Sequence, residues 1–434
     1  MHTPLPHESH GSHESHPPLS PQAPLRAAQR LWAGVAVLVM SVAAVLTGPV
    51  PAARAAAVPL TPVTGFGTNP GQLSMYVHRP ASLPAAPPLV VALHGCTQSA
   101  QAYADHSGLP ELAARAGFLL VLAEQSSANN ANKCFNWFQT SDSRRGQGEA
   151  ASIRQMVAHA VASYGADPKR VYVTGLSAGG AMTSVLLAAY PDLFAAGAVV
   201  AGLPYDCARD VASAYSCMNP GVDLSPAQWA QRVRDAHPAW TGPWPRVAVW
   251  HGDRDTTVVP RNADELRDQW TAVHGLGQTP TRTSLIGPNA TRHEEYAAAG
   301  GTVAVEVNRV PGIGHGTPVD PGTGERECGS TSAAYFLDSI CSSHWIAAFF
   351  GLTGTDGGTP PPDPGPGPGP DPVPASCWTS SNYQHVQAGR ATTNGGYTFA
   401  KGSQQNMGLY NTFVTHTLKE SPTGWYSLAD GACP

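Results

Sequence analysis

Ser177, Asp255 and His315 are the side chains whose types and surroundings could do chemistry in this chain. Ser177 is the centre of Gly175-Leu176-Ser177-Ala178-Gly179, a G-x-S-x-G pattern. A serine hydroxyl is a poor nucleophile until a base takes its proton and an acid orients that base. Downstream, His251-Gly252-Asp253-Arg254-Asp255 offers two carboxylates. Asp255 is the preferred orienter and Asp253 the second candidate, although an Asp at either place could instead cap the following turn. The base is expected later in the chain, and His315, bracketed by Gly314 and Gly316, has no helical face on which to pack. The other histidines after the serine read as structural or surface residues. His237 and His251 precede the acid, His274 and His293 fall in polar connecting segments, and His344 lies in the last helix. A tetrahedral intermediate also needs N–H donors for its oxyanion. The backbone of Ala178 would supply one, and that of Cys96, in Leu93-His94-Gly95-Cys96-Thr97-Gln98, the other. His94 precedes the nucleophile and reads as a positioning residue.

These residues are useful only if the right elements present them. Arg170 to Val173 is β-branched and aromatic and reads as a buried strand. Ala181 to Tyr190 reads as a helix stopped by Pro191. Strand, sharp turn and helix form the context of a nucleophile elbow, with Ser177 at the helix N-terminus. Pro87–Leu93, Phe118–Leu122, Ala198–Val200, Val247–Trp250 and Thr302–Val310 read as further strands, the last stopped by Pro311. Helices are expected from Leu109 to Gly117, Gly148 to Tyr164 and Asn262 to Val273. A closing helix is expected to carry Phe336, Ile340, Trp345, Ile346 and Phe349. Alternating strands and helices predict an α/β fold with a mostly parallel sheet, whose acid and base sit just past the C-terminal ends of strands, the functional edge.

The 434 residues carry a net charge of −5 and are 13% charged, with basic residues scattered, which argues against a nucleic-acid partner. Arg26 and Arg30 precede an apolar run from Leu31 to about Leu46, followed by Ala52-Ala53-Arg54-Ala55-Ala56-Ala57. That order reads as a secretory signal cleaved after Ala55 or Ala57 rather than as an anchor, so no membrane association is expected afterwards. The leader would take its histidines (His2, His7, His10, His13, His16) with it. Export suits eight cysteines, for which neighbour pairing gives Cys96–Cys134, Cys207–Cys217, Cys328–Cys341 and Cys377–Cys433. Each bond would contribute about 3–4 kcal/mol in the loop-closure model. No C-x-x-C pair suggests zinc, and the expected chemistry needs no metal or cofactor. The expected organisation is 1–57 signal and leader, 58–352 catalytic domain, 353–375 linker and 376–434 binding domain. Thr359 to Pro374 is Pro- and Gly-rich and would reach on the order of 50 Å when extended. The C-terminal segment is rich in Thr, Asn, Gly and aromatics. Its few charged residues are Arg390, Lys401, Lys419, Glu420 and Asp430, which suits an uncharged partner. About half of its aromatics are expected in its core, and Thr412 to Leu418 is expected to be a strand.

Leu93–Gln98, Asn129–Phe138, Gly175–Gly180 and Gly314–Pro318 together resemble the extracellular polyhydroxybutyrate depolymerase/feruloyl esterase family, in its type 1 arrangement. The resemblance covers nearly all of the large domain. It implies an α/β-hydrolase fold, with Ser177, Asp255 and His315 as the triad and Cys96 and Ala178 as oxyanion donors. It also implies a place for Trp137 in the acyl subsite. The tail, with Asn382–Ala391 and Gln405–Leu409, is similar to the polyester-binding domain of short-chain polyhydroxyalkanoate depolymerases. On that likeness His385 and Arg390 would grip ester carbonyls, unless they serve internal hydrogen bonds. The expected partner of the chain, taken as a monomer, is an insoluble poly(3-hydroxybutyrate) surface. Relatives acting on feruloyl or acetyl esters of plant cell walls give the alternative. A third reading, a non-catalytic surface binder, is disfavoured by the intact Ser–Asp–His order.

Overall fold

The computed structural model describes residues 57–353, 377–420 and 426–430. The leader, the proline-rich linker, Trp425 and Cys433 lie outside the described residues. Ten strands form one sheet: β1 (Thr61–Val63), β2 (Ser74–His78), β3 (Leu89–Leu93), β4 (Leu119–Glu124), β5 (Val171–Leu176), β6 (Ala196–Val200), β7 (Arg246–Gly252), β8 (Arg282–Ile286), β9 (Thr291–Ala297) and β10 (Val303–Val310). Their order is β1-β2-β4-β3-β5-β6-β7-β10-β9-β8. The six strands from β4 to β10 in that order are parallel, and antiparallel strands extend both sides.

Central strands buried on both faces should read as continuous apolar runs, and Leu-Val-Val-Ala-Leu of β3 is one. Its alternation is hidden in the sequence but plain in the packing. Leu89, Val91 and Leu93 join one core with Val171, Val173, Val247 and Val249. Val90 and Ala92 join the other with Leu120, Leu122, Ala248 and Trp250.

Helices cover both faces: α1 (Ala100–Ser107), α2 (Leu109–Ala116), α3 (Thr140–Ser143), α4 (Gly148–Tyr164), α5 (Ala178–Ala189), α6 (Val211–Met218), α7 (Pro226–Ala236), α8 (Arg261–Val273) and α9 (Ser342–Phe349). The first core takes α4, α5 and α8, and the second takes α1, α2 and α9. Two expectations are corrected. Phe336 lies in a short strand pairing with Thr317–Val319, and Ile340 precedes α9, so the closing helix is shorter than its apolar spacing suggests. His293 sits on β9, where its ring bonds Asn308 and Glu295, and is not in a connecting segment.

The C-terminal residues form two three-stranded sheets around α10 (Asn382–Gln387). The strand expected from Thr412 begins only at Thr415. Among the described residues its core is Ala391, Ala400, Met407 and Leu418, with Val386, Tyr426 and Leu428 against it. The expectation that about half of its aromatics form the core is not met: among the described residues only Tyr426 packs against it. Trp378, Tyr383, Phe399 and Tyr410 are half-buried, while Tyr397 and Phe413 are exposed. Buried hydrogen-bonding side chains (Ser380, Ser381, Asn382, Gln384, His385) fill the interior instead.

Candidate active site

Strand register brings the site together. Leu93 of β3 is level with Gly175 of β5, Leu176 with Val200 of β6, and Val200 with Trp250 of β7. Gly252, ending β7, is level with Val310, ending β10. The loops bearing Cys96, Ser177, Asp255 and His315 thus leave one sheet edge at one height, at strand C-termini.

Ser177 takes φ 56° and ψ −116°, a conformation rare for a residue with a side chain. Its N–H still bonds the Val200 carbonyl at 2.9 Å, so the strand ladder continues into the turn and α5 starts one residue later. Gly179 must be glycine, because a Cβ there would strike the backbone carbonyls of Leu93 and His94. That contact is how closely α5 approaches β3.

The acid and base loops are fastened to each other. Asp253 N–H bonds Val310 O, Arg254 N–H bonds Ile313 O, and the Asp253 carboxylate accepts from Gly312 N–H at 2.7 Å. A Cβ on Gly252 would collide with the carbonyls of Ile313 and Gly314. Across this joint, Asp255 Oδ2 is 2.7 Å from His315 Nδ1, and His315 Nε2 is 2.9 Å from Ser177 Oγ. The Asp255 side chain is fully buried, and its Oδ1 accepts the N–H groups of Thr257 and Val258, each at 2.9 Å. A carboxylate facing Nδ1 keeps the proton there, so Nε2 presents a lone pair to the serine hydroxyl. Asp255 is therefore the carboxylate that meets the imidazole, and exposed Asp253 serves the turn.

His251 is buried beside this relay, with Nε2 2.7 Å from the Val258 carbonyl and 3.5 Å from Asp255 Oδ2. Burial lowers its pKa, so it donates to the carbonyl as a neutral ring and forms no ion pair with Asp255. His94 is also buried, its pKa pushed down to about 4 by desolvation. Its Nδ1–H donates to Gly95 O and its Nε2 accepts Gln125 N–H, which pins the Cys96 loop to the end of β4.

In that loop the N–H groups of Gly95, Thr97 and Gln98 are committed to Gln98 Oε1, Asn132 O and Gly95 O. Cys96, between them, lines the cleft together with Ala178, whose N–H, at the first position of α5, has no intrahelical acceptor. Cys96 is disulfide-bonded to Cys134, and Cys207–Cys217 and Cys328–Cys341 are also bonded. Cys377 is disulfide-bonded as well, but Cys433 is outside the described residues.

The cleft above Ser177 and His315 is an open space of about 500 Å³. Trp137 and Phe138, edge to face, are among its walls, with Leu203, Tyr215, Met218 and Tyr335. Tyr335 stands edge-on to the His315 ring. His385 and Arg390 are elsewhere. His385 is buried, its Nε2 on the His416 carbonyl and its Nδ1 accepting from Arg390 Nε, and Arg390 lies over Trp378. Their expected hold on substrate is replaced by a bond inside the module.

One participant escaped sequence reasoning. Glu149, at the start of α4, is fully buried and gathers the 125–136 segment. It accepts from Gln125 Nε2 (2.5 Å), Asn136 N (2.8 Å), Asn136 Nδ2 (2.7 Å) and Asn129 Nδ2 (3.2 Å). Burial, with Asp142 nearby, holds its pKa well above the usual carboxylate range. An acid in the first turn of a helix usually faces solvent and the dipole, so no sequence signal marked this one.

A parallel-centred sheet with helices on both faces, a serine on a strained strand-to-helix turn and an acid and histidine at later strand ends define a serine hydrolase of the α/β-hydrolase fold. Residues 72–294 match the family described as Esterase PHB depolymerase, and the chain belongs to that family of ester hydrolases. It is 51% identical over 296 residues to poly(3-hydroxyalkanoate) depolymerase C of Paucimonas lemoignei, covering 68% of this chain and 70% of that one. An acetylxylan esterase of Coprinopsis cinerea is 38% identical over 277 residues, 63% of this chain and 72% of its own. Among solved structures, acetyl xylan esterase from Aspergillus awamori superposes with a TM-score of 0.58 at 27% identity, spanning 68% of this chain and all of that one.

Proposed function

We propose that this chain is an exported serine esterase that cleaves poly(3-hydroxybutyrate) to oligomers and short hydroxy acids. The observation carrying the reading is the unbroken Asp255–His315–Ser177 hydrogen-bond relay at the floor of an open apolar cleft. Ser177 Oγ attacks the ester carbonyl carbon as His315 Nε2 takes its proton. The oxyanion that forms is held by the N–H groups of Cys96 and Ala178. Collapse expels the hydroxyl end of the departing chain, protonated by His315. Water, deprotonated by the same nitrogen, then attacks the acyl-serine, and the carboxylic acid leaves. Asp255 keeps the imidazole in the correct tautomer and stabilises its cationic form. Trp137 flanks the acyl group. Disulfide bonding supports export, and among the described residues no helix is long and apolar enough to cross a membrane.

A cell-wall ester is the second reading, favoured by the likeness to acetylxylan esterases. Clearing of polymer films, compared with acetate release from acetylated xylan, separates the two. Cleared films with little acetate support the polyester. Full clearing by Ser177→Ala would overturn the mechanism.

A further inference from the structure

The C-terminal module touches the catalytic cleft. Thr412 and Phe413 line the same space as Ser177 and His315. Phe413 is 54% exposed, so its ring is open to whatever occupies the cleft it lines.

The contact is anchored by a buried polar bond. Gln384 of α10, 1% exposed, donates from Nε2 to Asn129 Oδ1 at 2.6 Å, and Asn129 is itself 3% exposed. Gln384 also faces the buried Asp142 carboxylate. A side chain of one module is thus desolvated against side chains of the other, which a loose encounter does not achieve. Asn129 in turn donates to Gly71 O and Glu149, so the anchor joins the network that holds the Cys134 segment and, through the disulfide, Cys96. The same α10 fixes the phenyl-bearing turn. Asn382 N–H bonds Val414 O, Tyr383 N–H bonds Asn411 O, and Asn411 Oδ1 caps the N–H groups of Phe413 and Val414. One short helix therefore both docks the module and presents Phe413.

We propose that the module is a wall of the catalytic cleft, with Phe413 as a specificity residue for the ester units next to the one being cut. The inference rests on the esterase reading and extends it: the ligand is an uncharged, extended oligoester, and a single small acyl group would not reach the ring.

Full-length variants test it on soluble substrates, where holding an enzyme to a solid confers nothing. The quantity read is kcat/KM for a soluble 3-hydroxybutyrate trimer ester divided by that for p-nitrophenyl acetate. Phe413→Ala is expected to lower the ratio about three- to tenfold, through KM, the size of an aromatic contact. Phe413→Leu is a milder variant with an apolar side chain still in place. Gln384→Glu keeps the Oε1 acceptor that closes the Ser381 capping box but sets a carboxylate against Asn129 Oδ1 and Asp142. It is expected to lower the ratio comparably. Leu285→Ala, at an exposed apolar residue on the sheet's far edge, should leave the ratio where it was. Unchanged ratios in Phe413→Ala and Gln384→Glu overturn the wall and leave the esterase standing. Wild-type acetate turnover that does not depend on Ser177 overturns both.

Discussion

Asp255→Asn is the sharpest perturbation of the relay. Asp255 Oδ1 is already occupied by two N–H donors, from Thr257 and Val258. An asparagine must therefore place its oxygen there and its amide nitrogen toward His315. A donor facing Nδ1 forces the ring to carry its proton on Nε2, where it points at Ser177 and cannot accept the hydroxyl proton. The serine loses its base while the site keeps its shape. The expected loss is about ten-thousand-fold in kcat, about 5 kcal/mol of barrier. Folding should suffer by less than about 2 kcal/mol, because both backbone donors stay satisfied. Asp255→Ala, which strips both donors of their acceptor, should be the less stable protein. Asp253→Asn is the control: its carboxylate holds Gly312 N–H, which an amide oxygen can also do, so kcat should fall by only a few-fold. Initial rates on p-nitrophenyl acetate with denaturant melts read both quantities. An Asp255→Asn enzyme within about tenfold of wild type would refute the tautomer argument.

Other outcomes are expected. Because Ser177 holds positive φ, Ser177→Gly should be more stable than Ser177→Ala by about 1 kcal/mol, the reverse of the usual order, in matched thermal melts of two dead enzymes. Removing Cys96–Cys134, which spans 38 residues, should cost about 4 kcal/mol in denaturant melts. It should also lower kcat about tenfold or more by freeing an oxyanion donor, and unchanged kcat would detach Cys96 from that role. His94 titrates near 6.5 when unfolded and at about 4 when folded, so its contribution is complete above 6.5 and is lost as pH falls toward 4. The stability advantage of wild type over His94→Gln should shrink by about 3 kcal/mol across that window. A difference independent of pH would show that His94 is not buried neutral.

The triad was legible because strand ends and glycine-flanked loops mark a reaction edge in the sequence itself. The central strands were legible because burial on both faces leaves unbroken apolar runs. The hairpin of β8 and β9 was not. Its sequences are Arg-Thr-Ser-Leu-Ile and Thr-Arg-His-Glu-Glu-Tyr-Ala, and in β9 polar Thr291 and Glu294, on opposite faces, are both buried, Glu294 being paired with Arg292 and Arg309. Polar residues there erase the alternation that would reveal a strand. Phe336 and Ile340 mimicked helical spacing, but the chain there is tied by the Cys328–Cys341 bond. In the C-terminal module aromatic content suggested that half of the rings would be core, yet its interior is filled by aliphatic residues and hydrogen-bonded polar side chains. Glu149 and Gln384 were out of reach, since their partners are distant in sequence and nothing local marks a polar side chain as buried.

The β8–β9 hairpin also sets a timescale. Without it β10 would be an edge strand, and its amides would exchange with solvent whenever the edge frayed. With β7 on one side and β9 on the other, β10 is an interior strand, expected among the slower-opening parts of the sheet. Fraying is displaced two strands outward, to β8. The loop carrying His315 therefore hangs from one of the slower-opening strands, and the 2.9 Å contact to Ser177 should outlast many local openings at the sheet's rim.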